Sequence, residues 1–161
     1  MVTYYLDETG HVFQFPVASL REWAPPVLEL PVLSGVNAAE LRPGAAVNSA
    51  KFMATLQLLS RFPHSSMAGF AELKSIDLSG AEVLLVTTEQ GSRVTFALDR
   101  IDEQLRRWRL VHELGRNHGL SILTLDLSVA NNSPVRWRQT TIPAPAQTKN
   151  SQPSAHAKNH V

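Results

Sequence analysis

The apolar positions of this chain switch between two periods, and the switches mark out its elements. Between Leu73 and Leu98 three β-rich runs, Leu73 to Leu78, Glu82 to Thr88 and Arg93 to Leu98, are separated by Ser79-Gly80 and Gln90-Gly91. Runs of this length bounded by glycine turns predict a three-stranded meander. On either side the period becomes helical. Phe52, Met53, Leu56 and Leu59 recur on one face and Pro63 stops the pattern, which predicts a helix over residues 49 to 61 with Asn48 as its cap. Ile101, Leu105, Trp108, Val111 and Leu114 make a second such face. Arg100, Glu103, Arg107 and Arg109 take its solvated side, Asp99 is the candidate N-cap, and Gly115 or Gly119 closes the helix.

The flanking segments are shorter and more heavily punctuated. Thr3 to Leu6 and His11 to Phe15 predict a hairpin across Asp7-Glu8-Thr9-Gly10, where Gly10 supplies the positive φ of the turn. Pro16 ends it, Ser19 to Trp23 predict a helical turn, Pro25-Pro26 holds the chain extended ahead of Val27 to Leu30, and Gly35 marks the next turn. Asn37 and Glu40 have capping-box spacing, but Pro43 and Gly44 hold any helix there to about one turn. Ser121 to Val129 alternates, with Leu123, Leu125 and Leu127 on one side and Ile122, Thr124, Asp126 and Ser128 on the other. Asn131-Asn132 then turns the chain into a last strand, Val135 to Trp137, with Pro134 at its start, where a missing N–H is tolerated. From Arg138 onward Thr, Pro, Ala, Gln, Lys, Asn and Ser dominate, too little apolar area to offset the entropy of ordering the segment. The expected fold is α+β: an antiparallel-rich mixed β-sheet with helices packed on one face, spanning residues 1–137, followed by a disordered polar tail over 138–161.

Composition narrows the function classes. With 43% hydrophobic residues in 161, the chain supports one domain with a real core. A formal net charge of +1 with interspersed signs lacks the basic stripe of a nucleic-acid binder. Cysteine is absent, so disulfides and thiolate metal sites are excluded. No run approaches the ~20 apolar residues that cross a bilayer, and the N-terminus carries no basic segment followed by an apolar one. The expectation is either a cytoplasmic protein or a piece of a longer one whose anchor is missing.

No catalytic motif is complete. His112 and His118 are six positions apart with Glu113 between them, whereas zinc ligands on one helix face need i, i+4 spacing. They read as surface histidines near a helix C-terminus, so no metal and no cofactor is expected. Ser34-Gly35 lacks the frame of a nucleophile elbow, and the eight glycines form no phosphate loop, so no small-molecule substrate is expected. Trp108, although flanked by Arg106, Arg107 and Arg109, belongs to the apolar stripe and is read as core. Trp137 has two readings, a lid on the core or part of an exposed binding edge. The rival functions are a small soluble hydrolase or metal-dependent enzyme using His112, His118 or His64, and a generic sheet-edge adaptor.

Four short signatures occur in order: Asp7-Glu8-Thr9-Gly10-His11-Val12-Phe13, Leu30-Pro31-Val32-Leu33-Ser34-Gly35, Leu125-Asp126-Leu127 and Pro134-Val135-Arg136-Trp137. With the helix, meander and amphipathic helix between them, this order resembles the extracytoplasmic β-domain of the FtsQ/DivIB family of bacterial cell-division proteins, over residues 4 to 137. The resemblance implies a non-enzymatic scaffold for septum formation. In the family, a cytoplasmic segment, a membrane helix and a POTRA domain precede the β-domain on the periplasmic side of the membrane, so membrane association would come only through an N-terminal anchor missing from this chain. It also implies FtsB- and FtsL-type partners, with FtsB adding a strand to the last strand of the sheet. That edge maps onto Ser133, Pro134, Val135, Arg136 and Trp137, with Val129, Asn131 and Asn132 in the approach to it. Ser128 stands where many members carry Arg, and Val129 where some carry Tyr.

Overall fold

The computed structural model describes residues 4–14 and 30–140. Eight strands are present among them: β1 (Tyr5–Leu6), β2 (Val12–Phe13), β3 (Val32–Ser34), β4 (Leu73–Asp77), β5 (Val83–Thr88), β6 (Arg93–Ala97), β7 (Leu120–Asp126) and β8 (Val135–Gln139). Two helices, α1 (Ala50–Arg61) and α2 (Ile101–Asn117), join the parallel pairs. Strands β3 to β8 form one sheet in sequence order, with β3–β4 and β6–β7 parallel and the other three pairings antiparallel. A parallel pair needs a crossover, and α1 and α2 are those crossovers. The architecture is therefore the α+β, antiparallel-rich mixed sheet expected from the sequence.

The register divides the sheet into two unlike faces. Ile76, Val86, Val94 and Leu125 are successive partners across four strands and all are buried. One position along, Ser75, Thr87, Arg93 and Thr124 form a polar row on the opposite face. The helices cover the apolar side. Trp108 is 1% exposed, and its ring centroid lies 5.9 Å from that of Phe62 and 5.9 Å from that of Phe96, so the predicted core tryptophan joins both helical layers to the sheet. Tilted and edge-to-face aromatic contacts of this kind add to the large apolar burial of each ring.

The hairpin forms as expected but shorter. Gly10 has φ +82°, and the Asp7 carboxylate accepts from the Thr9 amide and hydroxyl and from the His11 amide. Those bonds, led by the Thr9 hydroxyl, hold the Asp7 carboxyl below the usual carboxylate range. Val12, fully buried, donates its N–H to Ala45 and accepts from Gly44, tying the hairpin to the segment before α1. The predicted turn over Ser19 to Trp23 lies outside the described residues, as do residues 27–29, and the strand that follows them is Val32–Ser34. Asn37 caps a single 3-10 turn, Ala38–Glu40.

Several details of the helices and of β7 differ from the sequence reading, each for a local reason. Ser49, not Asn48, caps α1, its hydroxyl accepting from the Phe52 amide at 3.3 Å, because the first helical residue is Ala50 and the cap is the extended residue just before it. Met53 is exposed while Ala54, Thr55 and Leu58 are buried, so the core face is rotated from the one predicted. Asp99 does not cap α2. Arg100 occupies that position with φ +50°, and the buried side chain of Gln104 does the stitching instead. Its amide donates to the Ala97 carbonyl at 3.2 Å and the Asp99 carbonyl at 2.6 Å, and its oxygen accepts from the Ala97 amide at 2.8 Å. In β7, a register irregularity between Ile122 and Thr124 shifts the alternation, so Ile122 and Leu125 both face the core and Leu123 is only half-buried.

Gln104 thus closes three backbone groups at the junction of β6 and α2. Replacing it with Met keeps the volume but leaves those groups without their partners, and the expected loss is about 1 to 3 kcal/mol. Urea unfolding of Gln104→Met against wild type measures it; an unchanged midpoint would show that water replaces the amide at no cost.

Candidate partner-binding edge

Strand β8 is the last of the sheet, and among the described residues no strand pairs with its outer side. Its inner register on β7 is Leu125↔Val135, Thr124↔Arg136, Ile122↔Trp137, Ser121↔Arg138 and Leu120↔Gln139. The Pro134 carbonyl accepts from the Asp126 amide at 2.9 Å, and the Thr140 amide donates to the Gly119 carbonyl at 3.2 Å. In a strand, N–H and C=O of one residue point to the same side and alternate from residue to residue. Residues 134, 136, 138 and 140 therefore turn their backbone groups toward β7, and Val135, Trp137 and Gln139 turn theirs outward. Pro134 sits where its missing N–H breaks no outward ladder.

The side chains divide in the same alternating way. Val135 and Trp137 lie on the helix side, half-buried and packed against the core. A Cβ at Gly115 would stand 2.3 Å from the Trp137 ring, so the absence of a side chain there on α2 lets the ring approach the helix. Trp137 therefore covers the core with its side chain, as the lid reading expects, while its backbone belongs to the last strand. Arg136 is exposed on the other face, opposite Thr124, whose further neighbour on β6 is Arg93. Arg138, two positions on, shares that face, and its carbonyl accepts from the Ser121 hydroxyl at 3.4 Å. Composition puts Arg138 and Gln139 in the polar tail, yet β8 continues through them; the period-2 alternation that starts at Val135 is the signal that could have found Arg138. The remainder of the predicted tail, residues 141–161, lies outside the described residues.

The approach to the edge is held by side chains. Asp126 accepts from the Ser128 amide at 2.9 Å and hydroxyl at 2.6 Å, and Leu127 donates to the Thr95 carbonyl at 2.8 Å. Val129, 46% exposed, and the exposed Asn131 and Asn132 follow, with Ser133 half-buried before the strand. Arg107, assigned to the solvated face of α2 by periodicity, is turned onto this loop: Nη2 donates to the Leu127 and Val129 carbonyls at 2.7 and 3.0 Å, and Nη1 to the Ala130 carbonyl at 3.0 Å. All eight predicted contact residues therefore fall on one strand and its lead-in turn. Leu114, placed in the apolar stripe of α2, is instead 55% exposed.

The histidines do not converge. His112 packs on Phe70, ring centroids 5.3 Å apart, while the His118 Nδ1 lies 2.8 Å from the Leu114 carbonyl. Among the described residues no group of three His, Asp or Glu side chains is placed to hold a metal ion. Nor is any helix long and apolar enough to cross a membrane.

An α+β module whose last strand has no outer partner among the described residues is what fold and edge define. The chain belongs to the FtsQ/DivIB family: the family model for the C-terminal domain of cell division protein FtsQ/DivIB matches residues 2–128. The family is a non-enzymatic component of the bacterial division complex, which gives this chain a role in cell division. No individually curated protein is similar enough to match it. The matched stretch ends at Ser128, before β8, so the edge strand itself is described only by the structure.

Burial, then the charges of Arg109 and Arg116, lower the His112 pKa below its ordinary value, against a smaller opposing effect of Glu113. The folded chain then binds that proton less readily than the unfolded chain, so the stability associated with neutral His112 is full above about pH 6.5 and is lost as pH falls toward the folded-state pKa. An NMR titration of the His112 ring should give a midpoint below that of a free histidine; a midpoint at or above it would contradict the sign.

Proposed function

We propose that this chain is the extracytoplasmic β-domain of a division scaffold that binds FtsB- and FtsL-type partners, the FtsB-type segment adding a strand to β8. The observation that carries this reading is the outward row of backbone N–H and C=O groups at Val135, Trp137 and Gln139 on a domain of a division-protein family. Strand addition uses that row for affinity and the alternating side chains for specificity. A partner strand lying along β8 would meet Val135 and Trp137 on one face and Arg136 and Arg138 on the other. The first pair offers a half-buried apolar surface, and the second, with Arg93 across Thr124, offers positive charge suited to an acidic partner residue. The role asks for no cofactor, no nucleic acid and no small-molecule substrate. Its place is the periplasmic side of the cell membrane, reached through an N-terminal anchor.

Val135→Pro removes an outward N–H without removing an inward one, and should weaken the FtsB-type protein of the same organism about tenfold or more, since a lost hydrogen bond with an imperfectly paired group costs about 1 to 3 kcal/mol. Calorimetric titration checks it once circular dichroism shows the variant folded. Wild-type affinity in that variant would place the interface elsewhere.

Arg136→Glu is expected to weaken the same complex in a salt-dependent manner, because exposed charges act through a screened field. The loss should shrink as ionic strength rises. A loss of equal size at low and high salt would point to a packing role for Arg136 instead.

A further inference from the structure

The loop that delivers the chain from β7 to β8 has few backbone bonds of its own. After Leu127 donates to Thr95, the next recorded backbone pairing is the one between Asp126 and Pro134 at the entry to β8. Between them the carbonyls of Leu127, Val129 and Ala130 all converge on one guanidinium, that of Arg107, at 2.7, 3.0 and 3.0 Å. We propose that Arg107 is the positioning residue of the binding edge, holding the Leu127–Ala130 loop in the conformation in which β8 and its lead-in turn receive a partner strand; this rests on the strand-addition reading of β8.

The physical case begins with the donor. A guanidinium is planar and carries five N–H groups in a fixed fork, so one side chain satisfies three carbonyls that diverge over four residues, and it does so with charge-assisted bonds. Because those carbonyls turn toward α2, the Val129 side chain is left exposed at 46% and Asn131 and Asn132 follow into solvent. The arginine sits on a helix whose own core face is locked by Trp108, so the loop is referenced to the rigid layer of the domain rather than to itself. Asp126, by bonding Ser128, fixes the first step of the same loop from the strand side. A loop held in its bound conformation spares the partner the entropy of ordering it. Lysine does not substitute, since its ammonium is a compact point donor on a flexible stem and does not span the three carbonyls together.

Arg107 acts on binding through the loop, with both Nη atoms occupied by it, and this separates positioning from direct contact. Arg107→Gln and Arg107→Lys are to be titrated in the full chain against the FtsB-type protein of the same organism at low and high salt, with Val135→Pro in parallel. Melting temperature and amide hydrogen exchange are measured on each. The expected result is that Arg107→Gln weakens binding about tenfold, as for loss of a preorganised loop, with a melting temperature close to wild type. The salt dependence should be unchanged, and the amides of residues 129–132 should exchange faster while those of β7 keep their protection. Arg107→Lys should also weaken binding although the charge is kept, and it decides the matter if Arg107→Gln does not fold. Wild-type affinity in folded Arg107→Gln, or full recovery in Arg107→Lys, would overturn the proposal. So would a weakened complex with an altered salt slope, which would make Arg107 a charge contact. Weakening by Val135→Pro alone would leave strand addition standing and remove only the role of Arg107. Wild-type affinity in Val135→Pro would remove strand addition and this inference with it.

Discussion

Helix α2 is the constraint on which the rest of the domain depends. Its neighbours in the sheet, β6 and β7, are parallel, so the chain has to leave the sheet and return across one face, and α2 is that return. Once seated, it touches every later element. Trp108 anchors it in the core, Gln104 closes the end of β6, Arg107 gathers the β7–β8 loop, and Gly115 receives the ring of Trp137 from β8. Four residues spaced along one helix thereby place the edge strand relative to the core. Loss of the helix packing would leave β8 attached only through its ladder to β7.

An open sheet edge is a liability as well as an opportunity, because its unpaired backbone groups accept any strand. The composition of β8 reads as a compromise between the two. Pro134 guards its entry, and Arg136 and Arg138 place charge on the open face, which disfavours pairing of two copies of the same strand. Val135 and Trp137 turn their side chains to the helices, so that face offers only a half-buried apolar surface to a partner. Charge sets the terms of selectivity here more than apolar area does. On the face turned away from the helices, the row of Ser75, Thr87, Arg93 and Thr124 is likewise polar, with the exposed Val32 and Leu85 beside it.

What the sequence by itself determined are the features governed by near neighbours along the chain. The meander of β4, β5 and β6 follows from β-rich runs cut by glycine turns, α2 from a sustained helical stripe centred on Trp108, and the hairpin turn from the conformational freedom of Gly10. The order of short signatures likewise pointed to the family, and alternation to a last strand beginning at Val135. The misplaced details are those where two local candidates were nearly equivalent, such as Asn48 and Ser49 as caps of α1.

Only the tertiary structure decided the features that join residues far apart in sequence. Periodicity puts Arg107 on a polar face, but three carbonyls some twenty residues downstream collect its guanidinium, and no local pattern encodes that meeting. Alternation puts Leu123 with Leu125, but the irregularity against β8 changes the phase, because register is a property of two strands and not of one. No local pattern places the Trp137 ring on the core; Gly115 of α2, more than twenty residues upstream, leaves the room for it. Local periodicity reports which side of an element is apolar; what covers that side, and which polar groups find partners across the fold, follows from how the elements meet.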